Sequence, residues 1–142
     1  NLDKEKELHL ALRALIHSGV VKSAHDCSDG GLAVALAESC MSQLIARETP
    51  RFIGAEVDLS TIKDVRLDAL LFGETQARVV ISVAALNTGK VLAQAKILGV
   101  PATVIGKVGG TTLQIKSGEQ SFSASVAELH DGWWNSIARA MK

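Results

Sequence analysis

The chain has 142 residues, 47% of them apolar, enough for one core of ordinary domain size. Its 15 basic and 15 acidic side chains cancel, and neither sign gathers into a run suited to nucleic acid or an anionic membrane. No apolar stretch reaches the roughly eighteen residues of a spanning helix, and 4% aromatic residues with no tyrosine argue against a base-stacking platform.

The opening, NLDKEKELHLALRALIHSGV, reads as a helix from its first residues, with no methionine ahead of it. It is expected to continue from something upstream. Leu8, Leu12, Leu15 and Ile16 share one face, Asp3 is placed to cap the start, and Gly19 to end it. His9 and His17, eight residues apart, read as surface or boundary positions. VVKSAH is a short strand candidate. The loop HDCSDGGL follows, and then LAVALAESCMSQLIA, a helix apolar nearly all round with Glu38 its only charge before Arg47. Such a helix belongs in an interior. Pro50 breaks the pattern.

RFIGAEVDL alternates like a strand, and Ser60 or Thr61 is placed to cap a short helix in STIKDVRLDALLFGE. ARVVISV is the clearest strand, and its run of Val79, Val80, Ile81 and Val83 predicts a central position buried on both faces. LNTGKVLAQAKILG reads as a helix closing at Gly99, PATVIGKVGG as a strand and its exit, and TTLQIKSGEQSFSAS as a hairpin turning at Ser117-Gly118. VAELHDGWWNSIARAMK is a last helix, with Gly132 weakening or dividing it. Trp133 and Trp134 lie about 100° apart on that helix. One is expected in the core and the other at an interface, and His130 is read as a surface or boundary residue.

The order α β α β α β α β β β α predicts an α+β domain: a mixed sheet with helices layered on it, related to the ferredoxin pattern. Without repeat, low-complexity segment or linker, residues 1–142 read as a single domain. Cys27 and Cys40 form neither a CxxC pair nor a zinc pattern, so a disulfide framework is not expected. Reduced thiols and the absence of a spanning segment suggest a soluble, cytoplasmic protein.

Two polar clusters carry chemistry. In the first, Gly30-Gly31 sits at a strand-to-helix junction, where a backbone turns sharply and a ligand can approach its N–H groups. The helix start that follows suits a phosphate. Ser28 can cap the helix or donate to a phosphate oxygen; Asp26 and Asp29 suit a bridging magnesium ion, ribose hydroxyls or an amine; His25 suits acid–base work or hydrogen bonding. Ordinary turn and cap chemistry is the commoner use of such residues. Cys27 reads as a small buried thiol rather than a nucleophile. The second cluster is FGETQARVV. There Arg78 can pair with Glu74 or hold a phosphate, and Gln76, beside Thr75, can read an amide in both directions. A helix-exit loop with a surface ion pair is the plainer reading. Both clusters adjoin strands, and they are expected to converge at one edge.

Together, SAHDCSDGGLAVALAES and LFGETQARVVISV resemble the C-terminal domain of the AIR-synthase-related superfamily, and within it the second C-type domain of the phosphoribosylformylglycinamidine synthases. The resemblance runs through essentially the whole chain. It implies a layered α/β/α domain of partly ferredoxin-like form, as the terminal part of a multidomain ATP-dependent ligase of purine biosynthesis. That family converts formylglycinamide ribonucleotide, ATP and glutamine-derived ammonia to the amidine. It implies ATP and magnesium bound mostly by other domains, and as partners the N-terminal domains of the same enzyme and a glutaminase. Substrate or phosphate contacts would fall to His25, Asp26, Ser28, Asp29, Gly30, Gly31, Glu74, Thr75, Gln76 and Arg78. No metal ligand is assigned in this chain. Sister enzymes of the aminoimidazole ribonucleotide synthetase or selenophosphate synthetase type, or a non-catalytic scaffold domain, are the alternatives.

Overall fold

A computed structural model describes residues 1–41 and 51–142. The elements follow the expected order: α1 (Leu2–His17), β1 (Val21–Asp26), α2 (Gly31–Ser39), β2 (Ala55–Asp58), α3 (Leu67–Phe72), β3 (Val79–Val83), α4 (Thr88–Ile97) behind a single 3-10 turn, β4 (Gly106–Val108), β5 (Thr112–Ser117), β6 (Gln120–Ser125) and α5 (Val126–Ala140).

Strands β4-β2-β5-β6 form a mixed sheet. Its centre is the parallel pair β2–β5, with Ala55 beside Leu113 and Val57 beside Ile115. β4 adds antiparallel to β2, and β6 returns antiparallel to β5 through a two-residue loop at Gly118-Glu119. Gly118 takes φ 60°, the left-handed value that a tight hairpin asks of its first loop residue. Period-two burial decides which face is covered: Ala55, Val57, Leu113 and Ile115 point inward, while Glu56 and Gln114 point out. Against that face lie Leu32, Ala35 and Leu36 of α2, Leu70 of α3, Leu59 and Val126, which complete the main core with Cys27 and Cys40.

β1 and β3 make a separate antiparallel ribbon, with His25 opposite Val80 and Asp26 opposite Val79. This corrects the expectation for the ARVVISV strand. β3 is not central but one of two strands, and all five of its residues are half-buried. A lone pair of strands is marginal in water. Here Val21, Ile81 and Val83 of the ribbon pack on a second, smaller cluster of Leu15, Val20 and Val91 from the neighbourhood of α1 and α4.

Local chemistry moves several boundaries. Asn1, not Asp3, caps α1, accepting from the amides of Asp3 at 3.0 Å and Lys4 at 3.4 Å. The buried face of α1 is Ala11 and Leu15, while Ile16 is exposed. α2 closes with Cys40 as its C-cap, so the expected extension through residues 42–46, like the break at Pro50, lies outside the described residues. Neither Ser60 nor Thr61 caps α3, which begins only at Leu67. Ser60 is held in a turn by Asp58, its amide donating to Oδ1 at 2.9 Å, and its hydroxyl accepts from the Gly118 amide. α5 runs unbroken through Gly132. Both tryptophans are half-exposed rather than one buried, and they gather around His130, which is itself buried against Phe52. The Nε2 of His130 has no partner among the described residues.

Candidate functional site

The ladder between β1 and β3 continues one step past Asp26, where the Cys27 amide donates to the Arg78 carbonyl at 3.0 Å. From there the chain must reverse into α2 within three residues. It does so on Gly30 and Gly31, with φ of 73° and 77°. Two consecutive left-handed residues are readily reached only by glycine. Gly31 is constrained a second way. A Cβ there would lie 2.7 Å from the backbone of Leu71 and Phe72, at the end of α3. The double glycine lets two helix ends meet.

That meeting joins the two polar clusters. Glu74, just past α3, reaches back so that its Oε1 accepts from the Gly30 amide at 2.9 Å. A carboxylate at the start of α2 satisfies a free donor and suits the helix dipole. The expected cap from Ser28 is absent: its hydroxyl donates to Asp26 Oδ2 at 2.6 Å, and Gly30 occupies the N-cap position without a side chain. Ser28, Asp29, Glu74, Thr75 and Gln76 are all exposed, on loops tied by the Glu74 bond.

Arg78 does not pair with Glu74. Its guanidinium turns inward and donates to the Leu70 carbonyl at 3.1 Å and to the Gly73 carbonyl, two acceptors freed where α3 ends. Its Nε is buried without a partner among the described residues. Ala77, between the exposed loop and Arg78, adopts φ 61°, a left-handed value that a residue with a Cβ holds only under constraint.

His25 sits at the other end of the patch. Its Nε2 lies 2.9 Å from Glu38 Oε2, and its Nδ1 lies 2.6 Å from the Asp26 carbonyl oxygen. Glu38 is the partner that sequence reasoning missed. The signal was there, since a single charge on an otherwise apolar, packed helix requires a polar neighbour. Among the described residues no three His, Cys, Asp or Glu side chains gather as a metal site. Cys27 and Cys40 are free and buried, and burial pushes both thiols up, opposed at Cys27 by the Arg78 charge. Neither is an activated nucleophile.

A mixed β4-β2-β5-β6 sheet backed by α2 and α3, with a double-glycine loop locked to the loop after α3, defines a recognisable class. The family model described as AIR synthase related protein, C-terminal domain, matches residues 1–116, and the chain belongs to that family. The relatives are more particular. The chain is 40% identical over 138 residues to the phosphoribosylformylglycinamidine synthase subunit PurL of Moorella thermoacetica, covering 96% of this chain and 18% of that protein. It is 37% identical over 144 residues to the same subunit of Anaeromyxobacter dehalogenans, covering 100% and 18%. The fold matches T. maritima PurL complexed with ATP, with a TM-score of 0.70 and 21% identity over 88% of this chain and 21% of that one. The chain therefore spans about a fifth of the length of the proteins it resembles. Among the described residues, no helix is long and apolar enough to cross a membrane.

Proposed function

We propose that residues 1–142 form a single C-terminal-type domain of a longer, cytoplasmic ATP-dependent C–N ligase, phosphoribosylformylglycinamidine synthase, which converts formylglycinamide ribonucleotide and ammonia to the amidine in purine biosynthesis. The relatives that match through 96% and 100% of the chain support the enzyme. One geometric observation carries the site. The Gly30–Glu74 hydrogen bond draws both family motifs into one exposed patch on the α2–α3 side of the domain.

The patch suits a ribonucleotide. Asp26, Asp29 and Glu74 supply acceptors for ribose hydroxyls. Thr75 and Gln76 supply groups that both donate and accept, as an amide requires. His25, braced on Glu38, stands at the end of β1 just ahead of this loop. These residues bind and orient.

Two of the groups a triphosphate would use are already engaged: the Gly30 amide is taken by Glu74, and the Arg78 guanidinium is spent on two carbonyls. On this reading ATP and magnesium are held mainly by other domains of the same enzyme, which complete the site. Ammonia comes from a glutaminase partner. The isolated chain is inactive, because an open half-site leaves most of a ligand in water.

The test uses the intact enzyme containing this chain, with ammonia as nitrogen donor, and follows ADP release with and without formylglycinamide ribonucleotide. Asp29→Asn and Gln76→Ala are each expected to cut substrate-dependent release at least tenfold, on the order expected when a positioning contact is lost, with melting unchanged. Release that survives both changes demotes the domain to a scaffold. No substrate-dependent release in the wild type overturns the ligase reading and favours a sister enzyme.

A further inference from the structure

We propose that Arg78 is a positioning residue that holds Glu74 at the Gly30 amide, and so presets the ribonucleotide loop, instead of touching ligand itself. The proposal rests on the ligase reading for its substrate and on geometry alone for its mechanics.

Three observations converge. First, the guanidinium clasps the Leu70 and Gly73 carbonyls together, at the last turn of α3 and its exit. Gly73 is the residue directly before Glu74, so fixing its carbonyl fixes where the Glu74 side chain starts. Second, the backbone of Arg78 is pinned on the opposite side, its carbonyl accepting from the Cys27 amide at 3.0 Å. The loop from Gly73 to Arg78 is therefore tied at both ends to the body of the domain. Third, Ala77 inside that loop holds φ 61°. A conformation of that kind persists where surroundings over-determine it, and the Arg78 clasp is the constraint at hand. The loop leaves Glu74 Oε1 at 2.9 Å from the Gly30 amide, with Thr75 and Gln76 facing out beside it.

Only a guanidinium suits this task. It presents several N–H groups in a rigid planar fork wide enough to serve two carbonyls at once, whereas a lysine ammonium carries its three donors on one atom at the end of a flexible stem. Charge alone does not explain the residue, since no carboxylate pairs with Arg78 among the described salt bridges.

The experiment compares wild type, Arg78→Lys and Glu74→Ala in the intact enzyme by hydrogen–deuterium exchange and steady-state kinetics. Arg78→Lys is expected to speed exchange in residues 27–32, although the substitution lies far from them in sequence. Glu74→Ala should reproduce that gain while leaving residues 67–72 as protected as in the wild type. It thereby fixes what loss of the Glu74–Gly30 bond alone looks like, and Arg78→Ala, with and without guanidinium, repeats the exchange test should the lysine variant fold poorly. In the kinetics, Arg78→Lys should raise KM for the ribonucleotide roughly tenfold to a hundredfold, with kcat moved far less. Millimolar guanidinium should partly restore an Arg78→Ala variant, and ammonium should not. Unchanged exchange in residues 27–32 for Arg78→Lys overturns the proposal, whether or not Glu74→Ala speeds it. So does full activity of the lysine variant, or an equal loss in every kinetic and melting measure. If the wild type shows no ribonucleotide-dependent turnover, the ligase reading falls and the exchange result still decides whether Arg78 positions Glu74.

Discussion

Gly31→Ala tests how the two motifs are held together. Two costs add at this position. The first is conformational: φ is 77°, where a Cβ costs about 1–2 kcal/mol. The second is steric. The added carbon would lie 2.7 Å from the Leu71 carbonyl oxygen and from backbone atoms of Phe72. Those are main-chain atoms at a helix end, and no side-chain rotation relieves them. Forcing α2 and α3 apart has the character of overpacking, about 1–3 kcal/mol. Gly19→Ala isolates the second cost, because Gly19 has nearly the same φ, 75°, with no atom of the described residues beyond its chain neighbours within 4 Å of its would-be Cβ. Subtracting the two cancels the conformational strain and the change in unfolded-chain entropy. Urea unfolding of the 142-residue chain should therefore show Gly31→Ala less stable than Gly19→Ala by about 1–3 kcal/mol. Gly30→Ala adds a contrast. Its Cβ would meet the Val34 side chain at 2.6 Å, so adding Val34→Ala should recover part of its loss. The same change should recover nothing for Gly31→Ala. Equal stabilities for Gly31→Ala and Gly19→Ala would refute the close approach of α3 to the double glycine.

Two further outcomes follow from burial and charge. Cys27 and Cys40 are buried with thiols pushed up by desolvation, so a disulfide reagent should label neither in the native chain and both in denaturant; rapid native labelling would contradict the packing around α2. On α5, hydrogen bonds from Arg139 and then Asn135 hold the Asp131 carboxyl below the usual carboxylate range. Its folded pKa is thus lower than its unfolded value near ~4, so any stability it adds is present above that pH and is lost as pH falls through the folded value. Arg139→Ala should raise the Asp131 midpoint followed by carboxyl NMR, and a midpoint that does not move would exclude the pair.

The element order was legible because its signals are local. Hydrophobic periodicity, Gly19 after α1 and Gly118 in the β5–β6 hairpin act within a few residues of where they stand. The layout of β3 was not legible, because a Val/Ile run records that a strand is apolar and leaves open how many neighbours it has. Four such residues predict a central strand equally well when they sit half-buried in a ribbon. Helix starts failed for a related reason. Asp3, Ser60 and Ser28 are all good capping residues, but Asn1 took the first place, Asp58 fixed Ser60 in a turn, and Asp26 took the Ser28 hydroxyl. A hydroxyl or carboxylate reveals a capacity, and competition among neighbours settles its use.

The polar clusters show the same division at longer range. Their residue types announced hydrogen-bonding work, and their expected convergence is met by one bond across 44 residues. What could not be read was direction. Arg78 carries the charge that a phosphate site wants, yet α3 ends at Phe72, shortly before it, with carbonyls unsatisfied, and those acceptors lie inside the domain. A buried carbonyl acceptor without a donor costs more than a surface ion pair returns, so the guanidinium turns inward and leaves Glu74 free to cap α2. The double glycine, Glu74 and Arg78 are then parts of one device. Glycine removes the side chain that would hold α2 off α3, Glu74 fills the donor exposed by their approach, and Arg78 sets the loop from which Glu74 reaches. Removing any one part should loosen the other two, which is why the glycine substitutions and the Arg78 exchange experiment probe the same junction from opposite sides.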